Sequence, residues 1–299
     1  MSLKEKFKFK DRLIKGISPE GHFKISVVKS TDLVRSAKKR HQLSLLNTVL
    51  LGRTLTASML LAAELKGEER IRIQLDGSGP VAMIRAEANR AGEVRGYVRN
   101  PLAELDYPSE SIGDGIGTGL LTVSKTLYNE AQPRTSTIQI VKGDITSDLA
   151  HYLAQSEQIP SAVMIDLQLD DDGSVIHSGG VLLQRLPDAD DAVMDNLQTK
   201  LKSFPVISGL LAQNHYIDDI MRLVTNPYKV RELDRQPVHF FCRCNRNRII
   251  NALSLLSYSD LKEMEGETQE IICHYCNNRI TIESDQIHEL VLHAQARMN

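Results

Sequence analysis

Apolar and polar residues alternate along Ile71-Arg72-Ile73-Gln74-Leu75, the period of a strand with one face on a core and the other turned outward. The turn-forming Asp76-Gly77-Ser78-Gly79-Pro80 follows, then Val81–Glu87, a turn over Asn89–Gly92, and Val94–Val98, which together predict an antiparallel meander. Upstream, a strand around His22–Val28 runs into Ser30-Thr31-Asp32, a helix-capping cluster. A Leu-, Thr- and Ala-rich helical stretch then extends to about Lys66, with Gly67 as its stop. Leu120–Val123, Ser136–Val141 and Ala162–Leu169 read as further strands, with a helix near Ile145–Ala154 between them. Residues 1–186 are therefore expected to form a mixed α+β core domain.

The periodicity changes after that point. Met194, Leu197, Leu201 and Phe204, then Ile217, Ile220, Met221 and Val224, recur three or four residues apart, so 187–237 predicts a linker of amphipathic helices. Helices this short are marginal alone and need a surface on which to dock. Residues 238–299 alternate short strands (Val238–Phe241, Glu270–Ile272) and helices (Asn245–Leu256, Asp285–Ala296), the pattern of a small third module.

Composition narrows the function. The chain of 299 residues is 41% hydrophobic and 25% charged with a formal charge of −2, which excludes disorder and a wholesale electrostatic grip on nucleic acid. Six Phe, eight Tyr and no Trp are too few for a stacking platform along single strands. Over the first 40 residues, 12 Lys/Arg stand against 4 Asp/Glu, which reads as a solvated surface. The longest helical stretch, Leu43 to Leu65, is interrupted by Asn47, Thr48, Arg53, Thr54 and Glu64, so no membrane span is expected. Met1–Lys6 carries no apolar core of signal-peptide type, and a cytoplasmic location is expected.

All four cysteines lie in the last fifth of the chain, as Cys242-x-Cys244, a gap of 28 residues, and Cys273-x-x-Cys276. Two tight pairs in a protein without secretory features point to metal or redox chemistry rather than a disulfide scaffold. Brought together, four thiolates match the tetrahedral preference of one Zn2+ and leave no open position for water, so the site would be structural. Each pair is also close enough to oxidise internally, although a ring closed through Cys242 and Cys244 is strained. Disulfides do not ligate zinc, so oxidation would expel it. Structural zinc contributes about 10–16 kcal/mol in small peptides, whereas closing a loop of about four residues returns about 2 kcal/mol. A module this small would unfold. A plain zinc module without a redox role remains the simpler alternative.

The cysteine pattern resembles that of the redox-regulated 33-kDa heat-shock holdase chaperones of bacteria, and the resemblance runs the length of the chain. Asp11-Arg12-Leu13, Leu51-Gly52-Arg53-Thr54-Leu55 with Leu60-Leu61-Ala62-Ala63, and Val94-Arg95-Gly96-Tyr97-Val98 are similar to family segments. So are Gly119-Leu120-Leu121-Thr122-Val123, Ser156-Glu157-Gln158 with Pro160-Ser161-Ala162, and Gly179-Gly180-Val181-Leu182-Leu183-Gln184. The resemblance implies a cytosolic, ATP-independent chaperone, inactive while reduced and zinc-bound. It implies that oxidation forms the disulfides Cys242–Cys244 and Cys273–Cys276, releases zinc, unfolds the module and loosens the linker. The exposed apolar surface would then hold unfolding client proteins, commonly as a homodimer, with neither nucleic acid nor membrane as partner.

Other readings are weaker. Gly113-Asp-Gly115-Ile-Gly117-Thr-Gly119 fails the dinucleotide spacing and has no Gly-Lys-Ser/Thr, and is expected to be a strand-connecting loop. Cys273-His274-Tyr275-Cys276 follows a strand rather than opening a helix, unlike a thiol oxidoreductase motif. A nucleic-acid-binding zinc ribbon would use Arg243, Arg246 and Arg248, but 241–299 holds six Lys/Arg against eight Asp/Glu. Asp76, His151 and His177 show no triad or acid–base spacing, so no enzyme activity is expected.

Overall fold

The computed structural model of the chain describes residues 10–105 and 111–297. It divides into two compact units, residues 1–241 and 242–299. In chain order the first holds β1 (Arg12–Ile17), β2 (Phe23–Lys29), α1 (Thr31–His41), α2 (Leu45–Ala62), β3 (Arg70–Gly77), β4 (Met83–Asn89), β5 (Glu93–Val98), β6 (Gly119–Thr126) and β7 (Arg134–Gln139). It continues with α3 (Thr146–Gln155), β8 (Ser161–Leu169), β9 (Val175–Arg185), α4 (Asp191–Lys202), α5 (Ile207–Ala212), α6 (Ile217–Thr225), β10 (Arg231–Pro237) and β11 (His239–Phe240). One sheet has the order β10-β1-β2-β9-β8 and the other β11-β5-β4-β3-β6-β7. The fold is α+β. Every pairing in these two sheets is antiparallel except β11 with β5.

Helix α2 packs against strands of both sheets, and 15 of its 18 residues are buried. Ser44 caps its start by accepting a hydrogen bond from the Asn47 amide at 3.2 Å. Its threonines are tolerated in the core because Thr48, Thr54 and Thr56 return their hydroxyls to carbonyls one turn back, at 2.7, 2.7 and 2.9 Å. Among the described residues, this is the one helix long and apolar enough to cross a membrane, and 83% of that stretch is buried inside the fold. Burial on all sides accounts for its composition. The single helical stretch expected up to Lys66 is two helices, parted where Gln42 turns left-handed (φ 51°), and the second ends at Ala62.

The strand period decides what each face of the five-stranded sheet meets. On β2, Phe23, Ile25 and Val27 face one way with Val181 and Leu183 of β9; Val28 and Leu182 join the α2 side. The first set is covered by the helices of the expected linker, through Leu197, Ile207, Leu210, Leu211, Ile217, Ile220, Met221 and Val224. These helices thus find their docking surface within their own unit. Close approach requires glycine at one position of β9: a Cβ on Gly179 would stand 2.7 Å from the Val28 carbonyl oxygen, and one on Gly180 would crowd Thr56 and Leu60 at 3.1 Å. After α6 the chain becomes β10, an edge strand on β1, tied back to α6 by Arg235, which donates to Asp218 (3.1 Å from Nη1) and to Glu232.

The glycine-rich segment is a strand-connecting loop holding a 3-10 turn over Ile112–Gly115. A Cβ on Gly113 would fall 1.7 Å from the Lys142 carbonyl oxygen. Its glycines serve backbone packing.

Asp11 sits 4% exposed where β1, β2 and α1 meet. One carboxylate oxygen accepts from Lys29 Nζ and the other from the Leu33 amide, both at 2.8 Å. Burial pushes this carboxyl up to about 6 despite the pull of Lys29 and the Leu33 amide, so desolvation outweighs the pair's attraction. The pair therefore stabilises little as a whole, yet removing one partner strands the other. Asp11→Asn should cost about 3–5 kcal/mol in denaturant unfolding, and adding Lys29→Met should restore most of it. Equal stability of the single and double variants would refute this account.

The second unit holds α7 (Arg246–Leu253), α8 (Tyr258–Glu263), the hairpin β12 (Gln269–Ile272) and β13 (Arg279–Ile282), and α9 (Ser284–Ala296). Its core is small: Leu253, Leu261, Ile280, Ile282, Ile287, Leu290, Val291 and Ala294.

Candidate metal centre

The β12–β13 hairpin carries one cysteine pair at its tip. Strand pairing ends at Ile272↔Arg279, and the Cys273 amide then donates to the Asn278 carbonyl at 2.9 Å. The Cys276 and Asn277 amides both donate to the Cys273 carbonyl, at 3.3 and 2.7 Å, and Asn277 takes a left-handed conformation (φ 55°). This closed turn, which Asn277 and Asn278 favour, points Cys273 and Cys276 to one side. Cys242 and Cys244 come from the segment leading into α7, whose first turn is capped by Asn245 Oδ1 accepting from the Arg248 amide at 2.9 Å.

All four sulfurs lie within 4.8 Å of one another. Cys242 and Cys273 Sγ stand 3.8 Å apart, Cys244 and Cys276 Sγ 3.2 Å. Sulfurs about 2.3 Å from a central tetrahedral cation would be separated by about 3.8 Å, so the cluster has the right size with little adjustment. Among the described residues it is the one group of three or more Cys, His, Asp or Glu side chains placed to share an ion. His274 lies outside it.

The electrostatics agree with the geometry. Burial pushes the Cys276 thiol far above the ordinary range; the hydrogen bond with Cys244 adds to the rise, and the Asn278 backbone opposes it. Burial likewise raises Cys244, against a hydrogen bond with Cys276. Four crowded sulfurs at a partly buried site cannot all carry charge unless a cation compensates them. The donor set therefore fits a thiophilic dication, and a closed shell of four sulfurs fits a structural role.

The rival sequence motifs do not form comparable sites. Asp76 lies on β3, His151 on α3 and His177 on β9, and Asp76 is occupied by Gln74, whose amide donates to it at 2.6 Å. Arg246 donates to Gln286 at 3.2 Å, and both Arg246 and Arg248 are exposed on α7.

Comparison with known proteins matches this architecture. The family model described as Hsp33 protein covers residues 11–283. A 33 kDa chaperonin from Desulforamulus reducens is 37% identical over 271 residues, 89% of this chain and 92% of that protein. One from Streptococcus sanguinis is 35% identical over 286 residues, 94% of this chain and 98% of the relative. The crystal structure of the 33 kDa chaperonin (heat shock protein 33 homolog) of Thermotoga maritima superposes with a TM-score of 0.88 at 30% identity, covering 96% of this chain and 99% of that one. With sequence and fold in agreement over nearly the whole length, the chain belongs to the Hsp33 family.

Proposed function

We propose that this chain is a cytoplasmic, ATP-independent holdase chaperone, switched by oxidation of one Zn2+ site made of Cys242, Cys244, Cys273 and Cys276. Membership of a family whose relatives are named 33 kDa chaperonin supports the chaperone role. The observation that carries the switch is the four-sulfur cluster in a unit whose core, among the described residues, holds eight buried apolar side chains. In the reduced state the thiolates hold the metal, and the metal holds the unit. With peroxide as oxidant, each pair (Cys242 with Cys244, Cys273 with Cys276) gives up two electrons and closes one S–S bond. The peroxide takes up those two electrons and two protons from solvent and leaves as two waters for each bond formed. Neither disulfide can ligate the cation, which departs.

The functional segments in this reading are the 1–186 core, the 187–237 linker and the 238–299 switch. β10 ends at Pro237, close in sequence to Cys242, so unfolding of the switch frees the chain that continues from the end of the linker. If α4 to α6 then leave the sheet, two apolar faces appear at once: their own, and that of Phe23, Ile25, Val27, Val181 and Leu183. Such surface binds unfolding clients and favours a homodimer of the oxidised form.

Zinc release measured with a chromogenic chelator, alongside light scattering of a heat-denatured client, tests the proposal. Peroxide with heat should release one zinc per chain and suppress client aggregation, and reductant with zinc should reverse both. Client protection unaffected by oxidant would refute the switch. Tight, salt-sensitive nucleic-acid binding by the reduced form would favour a zinc ribbon instead.

A further inference from the structure

Away from the sulfur cluster, the first unit contains a half-enclosed cavity of about 450 Å3, where β2, β6, β7 and β9 meet α3 and the C-terminal end of α2. Its floor is apolar, formed by Leu65, Val123, Leu153 and Leu182. Its wall is a fixed polar lattice. Lys125 Nζ lies 2.7 Å from both oxygens of Glu157, Tyr152 donates its hydroxyl to the same carboxylate, and Lys24 lies 2.7 Å from Glu64. An apolar floor with convergent polar groups is the usual form of a small-molecule site.

Two charged groups of the lining keep binding capacity. Glu69 accepts the Lys66 amide at 2.7 Å but has no cationic side chain on it among the described residues. Arg134 is exposed and uses Nε and Nη2 on Glu130, leaving Nη1 without a partner among the described residues. Glu69 precedes β3, and Arg134 lies on β7, with β6 between. Two strand spacings and a two-residue offset along the strands separate them, about 12 Å at the backbone, which long side chains narrow to the span of a small molecule. The lining balances Lys24, Lys125 and Arg134 against Glu64, Glu69 and Glu157, so neither a plain anion nor a plain cation is favoured. The C-terminal end of α2 adds negative potential on the Glu69 side.

We propose that this cavity binds a small zwitterion with an apolar body, of the class of apolar α-amino acids and their dipeptides. Its ammonium sits on Glu69, its carboxylate on Arg134, and its side chain on the leucine floor. The proposal does not depend on the redox reading.

Calorimetric titration of the reduced, zinc-loaded full chain tests it, with leucine and leucyl-leucine as probes. At least one should bind at millimolar concentration or below, and which one binds identifies the source. N-acetylation or C-terminal amidation of that probe should each weaken binding by about tenfold or more, because each removes one charge-assisted contact. Arg134→Ala and Glu69→Gln should reproduce those losses with an unchanged thermal melt, and either suffices should the other fail to fold. Absence of binding by both probes, or equal binding of the capped derivatives, would overturn the assignment.

Discussion

A Cys276→Ser protein is expected to lose its metal and, with it, the fold of residues 242–299. Cys276 is the most buried of the four ligand candidates, 4% exposed, and its sulfur lies 3.2 Å from that of Cys244. Metal held by such a set contributes about 10–16 kcal/mol, whereas a core of this size rarely supplies more than about 3–5 kcal/mol. Weakening the site should therefore unfold the unit rather than merely loosen it. Limited proteolysis should cut after residue 242 in the variant and spare the zinc-loaded parent, and metal content should fall well below one per chain. The core around α2 should stay folded in the variant, while α4 to α6 lose protection from hydrogen exchange. A serine variant with full zinc and a protected C-terminal unit would remove the basis of the switch.

The second large effect is expected from Ile220→Asp. Ile220 is fully buried on the face of α6 that meets the five-stranded sheet, in one cluster with Phe23, Ile25 and Val27. Deleting its side chain and placing a carboxylate there should cost at least about 4 kcal/mol of docking energy. The linker helices should then leave the sheet while zinc is still bound, giving a protein that suppresses client aggregation without oxidant. Leu223→Asp is the internal control: it lies on the same helix, 38% exposed, and should change little. Should Ile220→Asp stay silent with zinc retained, the sheet face under α6 is not what clients meet.

The convergence of the four cysteines was legible in the sequence because its information is local. Two short cysteine spacings and an Asn-Asn turn specify the ligand arms, and tertiary structure has only to bring the arms together. The meander of β3 to β5 was legible for the same reason, since alternation with turn residues needs no distant partner. Strands β1, β9 and β10 were not. β9 is apolar on both faces and carries Gly179-Gly180 at its centre, so it shows neither alternation nor uninterrupted β-propensity. β10, Arg-Glu-Leu-Asp-Arg-Gln-Pro, is polar almost throughout and is a strand because β1 offers it an edge. The break at Gln42 depends on one left-handed residue inside a pattern that otherwise reads as continuous helix. The cavity was invisible for a deeper reason: its lining is drawn from six elements far apart in sequence.

The place of β10 at the rim of its sheet has one more consequence. Any excursion that carries it off leaves β1 outermost, with the main-chain groups that had answered Arg231–Pro237 facing water. Such a rim pairs with extended polypeptide through amides and carbonyls alone and is indifferent to side-chain identity. A protein meant to catch many different chains gains, from one displaced strand, a template that reads what all of them share.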